Sequence, residues 1–497
     1  MKINNLNDLL APWITFSLQQ NIIIKDIKLD SRLLEAGDLF IAINGYKNDG
    51  RSFILQAINL GVNAVLAETY DGKYKNGYIQ YIYEVPIIHL FNLSYILSEL
   101  AARFYGYPGS KLSIVGVTGT NGKTTTTQIL AQFIYLLGDK SAVMGTLGYG
   151  LYGDKLIYGN NTTPSAIDIQ FFLKKFVEKK TKLVAIEISS HAIVQHRISA
   201  VPFSALVFTN LTRDHIDFHG NMDRYKKAKW SLFSYFNHKK SIINIDDDVG
   251  KNWLKDLPCS LAVAIQNTYD VNRIRRPWLF ANKINYYQNG VKITIKSSWG
   301  EGECYSRLIG RFNVSNLLLA MATLLTLGYP LDLLLITSEK IKCICGRMEV
   351  FNTKDKTVII DYAHTPDALE QSLKAARIHC HGSLWCVFGC GGNRDRGKRP
   401  IMGKIAKNLA DKIIITTDNP RYEKPMDIIH DIINEIDITK SVYIIEDREI
   451  AITQAIMEAK LDDVVVIAGK GHETYQLVGN NISYFSDRAI VANLLKL

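Results

Sequence analysis

The stretch Gly116-Val-Thr-Gly-Thr-Asn-Gly-Lys-Thr-Thr-Thr-Thr-Gln-Ile-Leu130 has the residue types, in the order, that hold a polyphosphate. Glycines let backbone N–H groups approach phosphate oxygens, and a helix starting just after them adds partial positive charge. Lys123 would reach the β- and γ-phosphates of a nucleotide, and the Thr124 hydroxyl would ligate Mg²⁺. Gly119, Thr120, Asn121, Gly122, Lys123, Thr124 and Thr125 are thus the candidate cradle. Five residues separate Gly116 from Gly122, so the strict G-x-x-x-x-G-K-[ST] pattern fails by one position. A glycine-rich turn that binds nothing is the plain alternative. The apolar run Leu112-Ser-Ile-Val115 before the loop and the helical spacing of Ile129, Leu130, Phe133, Ile134 and Leu137 after it argue against that.

Downstream, Glu187-Ile-Ser-Ser-His191 closes an apolar run. A carboxylate at the C-terminal end of a parallel strand can hold Mg²⁺ beside a nucleotide, or simply anchor a loop; the upstream phosphate loop favours the metal. Asp214, His215, Asp217 and His219 follow another strand-like run and are dense enough to suggest metal, though helix caps and loop hydrogen bonds would use the same residues. Tyr225-Lys-Lys-Ala-Lys-Trp230 reads by itself as an exposed basic helix face. Gly389-Cys-Gly-Gly-Asn-Arg-Asp-Arg-Gly-Lys-Arg399 lacks the G-K-[ST] ending of a phosphate loop, and Thr416-Thr-Asp-Asn-Pro-Arg421 alone would be a turn with a solvated arginine. Gly148-Tyr-Gly-Leu-Tyr-Gly153 matches a dinucleotide fingerprint, but turn residues follow it where a helix should begin, and a loop is expected.

The elements that must position these residues fall into three α/β segments. Residues 1–89 mix short apolar runs with helical stretches and make a small α/β domain. Residues 90–340 alternate strand-like runs (Ser141–Met144, Leu183–Ile188, Ala205–Phe208) with helices around the phosphate loop, which predicts a parallel sheet covered on both faces. Residues 341–497 repeat the alternation, which predicts a second doubly wound, Rossmann-like domain. Leu317–Ile336 is apolar enough to suggest a membrane span, but Gly328-Tyr-Pro330 and Asp332 interrupt it, so two buried helices joined by a turn are expected. A length of 497 residues exceeds what one core supports. Hydrophobic content of 47% with 21% charged residues excludes a disordered chain. The formal charge of +10 comes from basic residues that form no long run, which argues against nucleic acid as the partner and suits small polyanions. Seven irregularly spaced cysteines fit reduced thiols, and the N-terminal residues lack the apolar core of a signal peptide, so a cytoplasmic protein without membrane insertion is expected.

The G-T-N-G-K-T-T loop resembles, residue for residue, that of the superfamily of ATP-dependent Mur ligases and folylpolyglutamate synthases, and the resemblance extends from Leu29-Asp-Ser-Arg32 to Tyr484-Phe-Ser-Asp-Arg488. It implies an ATP-dependent, amide-forming ligase of peptidoglycan precursor synthesis; a monomer is expected, though the sequence does not give the oligomeric state. Lys229 falls where Mur ligases carry a CO₂-modified lysine; the carbamate, unlike a bare ammonium, can hold a cation. Lys123, Glu187, His215 and Lys229 would then be the catalytic set, with Thr124, Glu187, His215 and Lys229 around Mg²⁺. Asn313 would lie near adenine, and Arg347 and Asp361 would contact phosphate and ribose. Leu29, Ser31, Tyr46, Lys47 and Asn48 would bind the uridine nucleotide, and Asn161, Thr162, Thr163, Ser189, Gln195 and Arg197 the muramoyl-dipeptide. Asp418-Asn419-Pro420-Arg421 resembles the amino-acid selector of the family members that add meso-diaminopimelate to UDP-MurNAc-L-Ala-D-Glu, with Arg394, Gly469 and Glu473 completing that pocket. An arginine fork matches the distal carboxylate that lysine lacks. A lysine-adding ligase, a folylpolyglutamate synthase and a non-catalytic nucleotide switch are the rival readings.

Overall fold

A computed structural model of the chain describes residues 3–14, 21–45, 48–70, 74–159, 161–258, 260–265, 275–287, 290–436 and 440–497. The chain divides into two compact units. One comprises Met1–Gly116, Gly138–Leu206 and Ala228–Lys239, the other Val117–Leu137, Val207–Lys227 and Lys240–Leu497.

In the first unit the strands Ile27–Lys28, Leu39–Ala42, Ala64–Thr69 and Val85–Phe91 lie side by side and parallel, and Tyr78–Ile82 closes the sheet antiparallel. Side chains alternate across it. Leu39, Ile41, Leu66 and Ile88 meet the helix Leu93–Phe104 on one face, and Phe40, Ala42, Val65 and Ile87 form a separate core on the other. Burial on both faces is why these strands read as unbroken apolar runs. The same unit pairs Leu183–Glu187 in parallel with Ser141–Gly145, which pairs antiparallel with Gly148–Leu151. The expected loop at Gly148 is therefore an edge strand. Leu156 and Ile157 pass so close that a Cβ on Gly148 would sit 2.8 Å from Leu156 Cβ, so these glycines serve a close backbone approach and not a nucleotide.

In the second unit Gly300–Ser306, Gly290–Ser297 and Trp278–Tyr287 form an antiparallel meander, continued in parallel by Ser260–Ala264 and Ser241–Asn244. The apolar stretch 317–336 does form two helices, Arg311–Thr326 and Leu331–Ser338. Among the described residues no helix is long and apolar enough to cross a membrane. A six-stranded sheet follows in the order Glu349–Asn352, Thr357–Asp361, Val464–Ala468, Leu384–Phe388, Lys412–Ile415, Val442–Ile444, all parallel but the first. It has a core on each face, as a doubly wound domain requires. Because its strands run the same way, Asp361, Gly389, Thr416 and Gly469 all emerge at one edge, where such sheets bind ligands.

That edge is braced by a buried ion pair. Arg448, at the start of the helix Arg448–Glu458, donates to both Asp487 oxygens at 2.8 Å and to Ala468 O at 2.9 Å, and neither charged side chain is exposed. Removing one partner strands a buried charge, so Asp487→Ala is expected to cost about 3–5 kcal/mol. The check is loss of amide protection in Val464–Ala468. The double change Arg448→Met with Asp487→Leu, which leaves no lone charge, is expected to recover most of it.

Candidate active site

The phosphate loop lies where the strand Ser113–Thr118 gives way to the helix Lys123–Leu136. Gly119 (φ +153°) and Gly122 (φ +84°) take conformations closed to most side chains, and a Cβ on Gly119 would overlap the Thr209 hydroxyl. Lys123 Nζ donates to Gly119 O at 2.9 Å and Thr120 O at 2.8 Å, so the ammonium is seated over its own loop. The segment after the strand Ala205–Phe208 supports the loop from below. Asn210 Oδ1 accepts from Asn121 N at 2.9 Å, Thr120 Oγ1 donates to Thr212 O, and the buried Tyr225 hydroxyl lies 3.1 Å from Thr120 Oγ1.

Residues far along the chain complete this cradle. Arg347 Nη2 donates to Thr124 Oγ1 at 3.0 Å, and its guanidinium stacks over the Tyr362 ring at 4.3 Å. Asn121 Nδ2 donates to Asp367 Oδ2 at 2.9 Å, which ties the loop to the first turn of the helix Pro366–Ile378. Burial raises the Asp367 carboxyl, against the Asn121 bond. Asp361 is also raised, by burial, against hydrogen bonds from Ser372 and the backbone of Met348 and Tyr362. Asn313 is buried, with Nδ2 on Ile309 O and Oδ1 accepting from Asn316. Asn316, three residues on and not singled out by the sequence, is the side chain that meets the loop. It accepts from Thr126 Oγ1 at 3.3 Å and lies where a Cβ on Gly122 would be. The N-x-x-N spacing on one helix face was the available signal.

Asp214, His215, Asp217 and His219 do not gather. Among the described residues no group of three or more His, Cys, Asp or Glu is arranged to hold a metal ion, so the density of this segment is not a metal site of its own. His215 takes a left-handed conformation (φ +54°) at the start of the short helix Ile216–His219. Asp214 Oδ2 lies 3.4 Å from His215 Nε2 and 4.0 Å from His364 Nε2. Burial alone would raise Asp214, but His215, His364 and Lys398 together hold it at about 2. Burial, with Lys398 nearby, lowers His364 to about 4, so its ring is neutral at pH 7. Asp217 faces Arg394 at 3.6 Å, while Arg213 and Asp395 pair in the reciprocal sense at 3.0 Å.

The D-N-P-R loop and the segment Gly469-Lys-Gly-His-Glu473 come together at the sheet edge. Asn419 Nδ2 donates to Glu473 Oε2 at 2.8 Å, and Asp418 packs against Gly469 (φ +114°). Lys470, next to the predicted Gly469 and itself not singled out by the sequence, is fully buried and donates to Asn419 Oδ1, Glu473 Oε2 and Tyr475 O. Glu473 is nonetheless raised, first by burial and then by Asp418, over the opposing effect of Lys470. Arg421 Nη1 donates to Gly392 O at 2.9 Å; among the described residues no carboxylate lies within ion-pair distance of this guanidinium. Gly391 sits between Arg421 and Arg394, and a Cβ there would be 2.8 Å from Arg421 Nη1.

The first unit gathers a second group. Glu187 is 1% exposed and held by Thr146, through N to Oε1 at 2.9 Å and through Oγ1 to Oε2 at 3.0 Å. Thr163 Oγ1 donates to Glu187 O and accepts from Ser189 N. Thr162 Oγ1 is 3.2 Å from Thr146 Oγ1, and Arg197 Nη1 donates to Thr163 O and bonds Gln195. Asn161 bonds the Tyr149 hydroxyl through its carbonyl, so all six predicted dipeptide-binding residues belong to one network or adjoin it. Lys229, on the helix Met222–Tyr235, is 1% exposed, not the solvated cation its basic neighbours suggest. Ser31 is buried and reaches Gln56, Leu29 is half-buried and Asn48 is exposed, whereas Tyr46 and Lys47 lie outside the described residues.

Three domain families match the chain in order: Mur ligase family, catalytic domain, over residues 23–105; Mur ligase middle domain over 117–324; and Mur ligase, glutamate ligase domain over 346–471. Among solved structures, one of UDP-N-acetylmuramoyl-L-alanyl-D-glutamate–2,6-diaminopimelate ligase is 32% identical, covers 100% of this chain and 99% of its own, and has a TM-score of 0.68. MurF ligase from Thermotoga maritima in complex with ADP is 17% identical over 96% of this chain and 97% of its own, with a TM-score of 0.66. Folylpolyglutamate synthase from Mycobacterium tuberculosis, complexed with ADP and AMPPCP, is 14% identical over 76% of this chain and 92% of its own, with a TM-score of 0.62.

Proposed function

Because the chain belongs to the Mur ligase family, we propose that it is the ligase that joins meso-2,6-diaminopimelate to the D-glutamate γ-carboxylate of UDP-MurNAc-L-Ala-D-Glu at the expense of ATP, in peptidoglycan precursor synthesis. The observation that carries the choice of amino acid is Arg421: a fork aimed by carbonyls, beside a carboxylate, Glu473, suited to an ammonium. A zwitterion with a distal carboxylate meets both. Lysine would leave the guanidinium half-buried and unpaired, and the folylpolyglutamate synthase likeness, at 14% identity over 76% of the chain, supports shared fold alone.

The chemistry runs in two steps. A γ-carboxylate oxygen attacks the γ-phosphorus of ATP, the bond to the bridging β,γ-oxygen breaks, and ADP leaves. The diaminopimelate amine then adds to the acyl phosphate carbon, and the tetrahedral intermediate expels phosphate and loses a proton. Lys123 meets the charge spread over the transferring phosphoryl oxygens, and Arg347, bonded to Thr124, adds a second cation at the helix start. Thr124 would offer the Mg²⁺ beside the phosphates an oxygen donor, with His215 assisting, and Glu187 and the buried Lys229, the latter as a carbamate, are the remaining residues whose chemistry would suit a cation. Mg²⁺, when bound, neutralises phosphate charge. Thr163, Ser189, Gln195 and Arg197 orient the dipeptide carboxylate end, and Leu29, Ser31 and Asn48, with Tyr46 and Lys47, take the uridine nucleotide.

Phosphate release measured with UDP-MurNAc-L-Ala-D-Glu, ATP and either amino acid tests this reading. Turnover with meso-diaminopimelate and kcat/KM lower by about 10²-fold or more with L-lysine is the expected result. Turnover with lysine alone would overturn the assignment.

A further inference from the structure

The hairpin formed by Tyr475–Val478 and Asn481–Tyr484 has no core to fill: every residue of its second strand is exposed, and the first is only half-buried at its centre. Its polar backbone groups face the D-N-P-R loop instead. Arg421 N donates to Leu477 O at 3.0 Å and Gly479 N donates to Arg421 O at 2.6 Å, so the hairpin grips both backbone groups of one residue. That residue is left-handed, at φ +53°, a conformation an arginine does not choose unaided. Leu477 N donates to Asn419 Oδ1 at 3.0 Å, Gln476 Nε2 donates to Asp418 O at 2.9 Å, and the Tyr422 hydroxyl bonds Asn480 Oδ1 at the hairpin tip. Gly479 itself is at φ +58°, the first position of a two-residue turn, where glycine suits the hairpin twist.

We propose that this hairpin is the positioning element for amino-acid specificity: its backbone holds Arg421 left-handed and so aims the guanidinium at the distal carboxylate of the incoming diamino acid. The inference rests on the diaminopimelate reading above. Chemically, a fork rewards a carboxylate only when both are coplanar, and a backbone turn of one residue would swing Nη1 off Gly392 O and lose that alignment.

The test is Gly479→Pro, which deletes the N–H bonded to Arg421 O and forbids φ +58°, beside Gly479→Ala, which keeps the N–H and has open space for its methyl. In Gly479→Pro the KM for meso-diaminopimelate is expected to rise about tenfold or more, with the KM for ATP and the kcat/KM for L-lysine unchanged within about twofold. Gly479→Ala carries the left-handed strain of φ +58° but keeps the bond to Arg421 O, so its KM for meso-diaminopimelate is expected to stay within about threefold of wild type. A purely structural hairpin would lower all substrates' kcat/KM together, and an unchanged diaminopimelate-to-lysine ratio in folded Gly479→Pro overturns the proposal. If that variant does not fold, Asn480→Ala, which removes only the tip bond to Tyr422, must shift the same ratio in the same direction or the proposal fails. Wild-type enzyme that prefers lysine would instead overturn the reading beneath it, a result visible before any variant is made.

Discussion

Lys123→Met is expected to lower kcat by about 10³-fold or more, with the KM for ATP changed far less. The ammonium is already seated, bonded to Gly119 O and Thr120 O, so it reaches the transferring phosphoryl group without reorganising. Such a preorganised cation contributes most where charge develops, in the transition state, and less to ground-state binding. The helix N-terminus and the N–H groups of residues 122–125 remain in the variant and would still bind phosphate. Lys123→Arg is expected not to rescue, because a longer, planar fork does not place a compact charge at the same point over the loop. ATP-dependent phosphate release, with far-UV circular dichroism to show that the helix Lys123–Leu136 persists, reads the result. A loss of less than about tenfold in a folded variant would remove Lys123 from the chemistry.

The parts of this molecule that were legible in the sequence are those set by local pattern. The strands Leu39–Ala42, Leu183–Glu187 and Val464–Ala468 are uniformly apolar because both faces are covered, and the helix pair after residue 310 is marked by its interrupting Gly328 and Pro330. The phosphate loop announces itself because its glycines, lysine and threonines are contiguous. By contrast, the strands of 278–306 alternate apolar residues with lysine and glutamate on a half-exposed sheet, a weaker signal than a buried run, and went unread. Asn316 and Lys470 were missed as partners, although Asn313 and Gly469, close by in the chain, were read. The Asn316 contact with Gly122 and the Arg347 contact with Thr124 join residues about 200 apart, and nothing in local spacing encodes such a pairing. The acidic and histidine-rich 214–219 segment misled for the converse reason: sequence density is not convergence, and Asp214 lies against His215 and His364 while Asp217 faces Arg394. Arg394 illustrates how the two kinds of information combine. Its position beside Gly391 and Arg421 agrees with the diaminopimelate pocket, while its pairing with Asp217 shows that a substrate carboxylate must compete with an existing carboxylate for it.

Among the described residues Arg421 has no such competitor, which is why its removal should be felt almost entirely by the amino acid. Arg421→Ala is expected to raise the KM for meso-diaminopimelate by about 10²–10³-fold, since two charge-assisted hydrogen bonds are worth about 3–4 kcal/mol together. The backbone does not confound the comparison. Both arginine and alanine carry the cost, about 1 kcal/mol or more, of the left-handed conformation that the loop imposes, so the substitution isolates the guanidinium. Gly392, whose carbonyl loses its donor, is buried between a half-buried and an exposed residue, and the space vacated by the guanidinium admits water to it. Arg421→Lys keeps the charge but not the fork and is expected to fall between the two. The KM for ATP should stay within about twofold in both variants, because the nucleotide contacts assigned to Lys123, Thr124 and Arg347 stand on other loops. L-Lysine should gain in relative terms only, its own kcat/KM being indifferent to a group it never touches, so the diaminopimelate-to-lysine ratio collapses toward unity. Steady-state kinetics with each amino acid varied at saturating ATP decide the matter. Equal rises in the KM for ATP and for diaminopimelate would mean that Arg421 holds the domain together and does not choose its substrate.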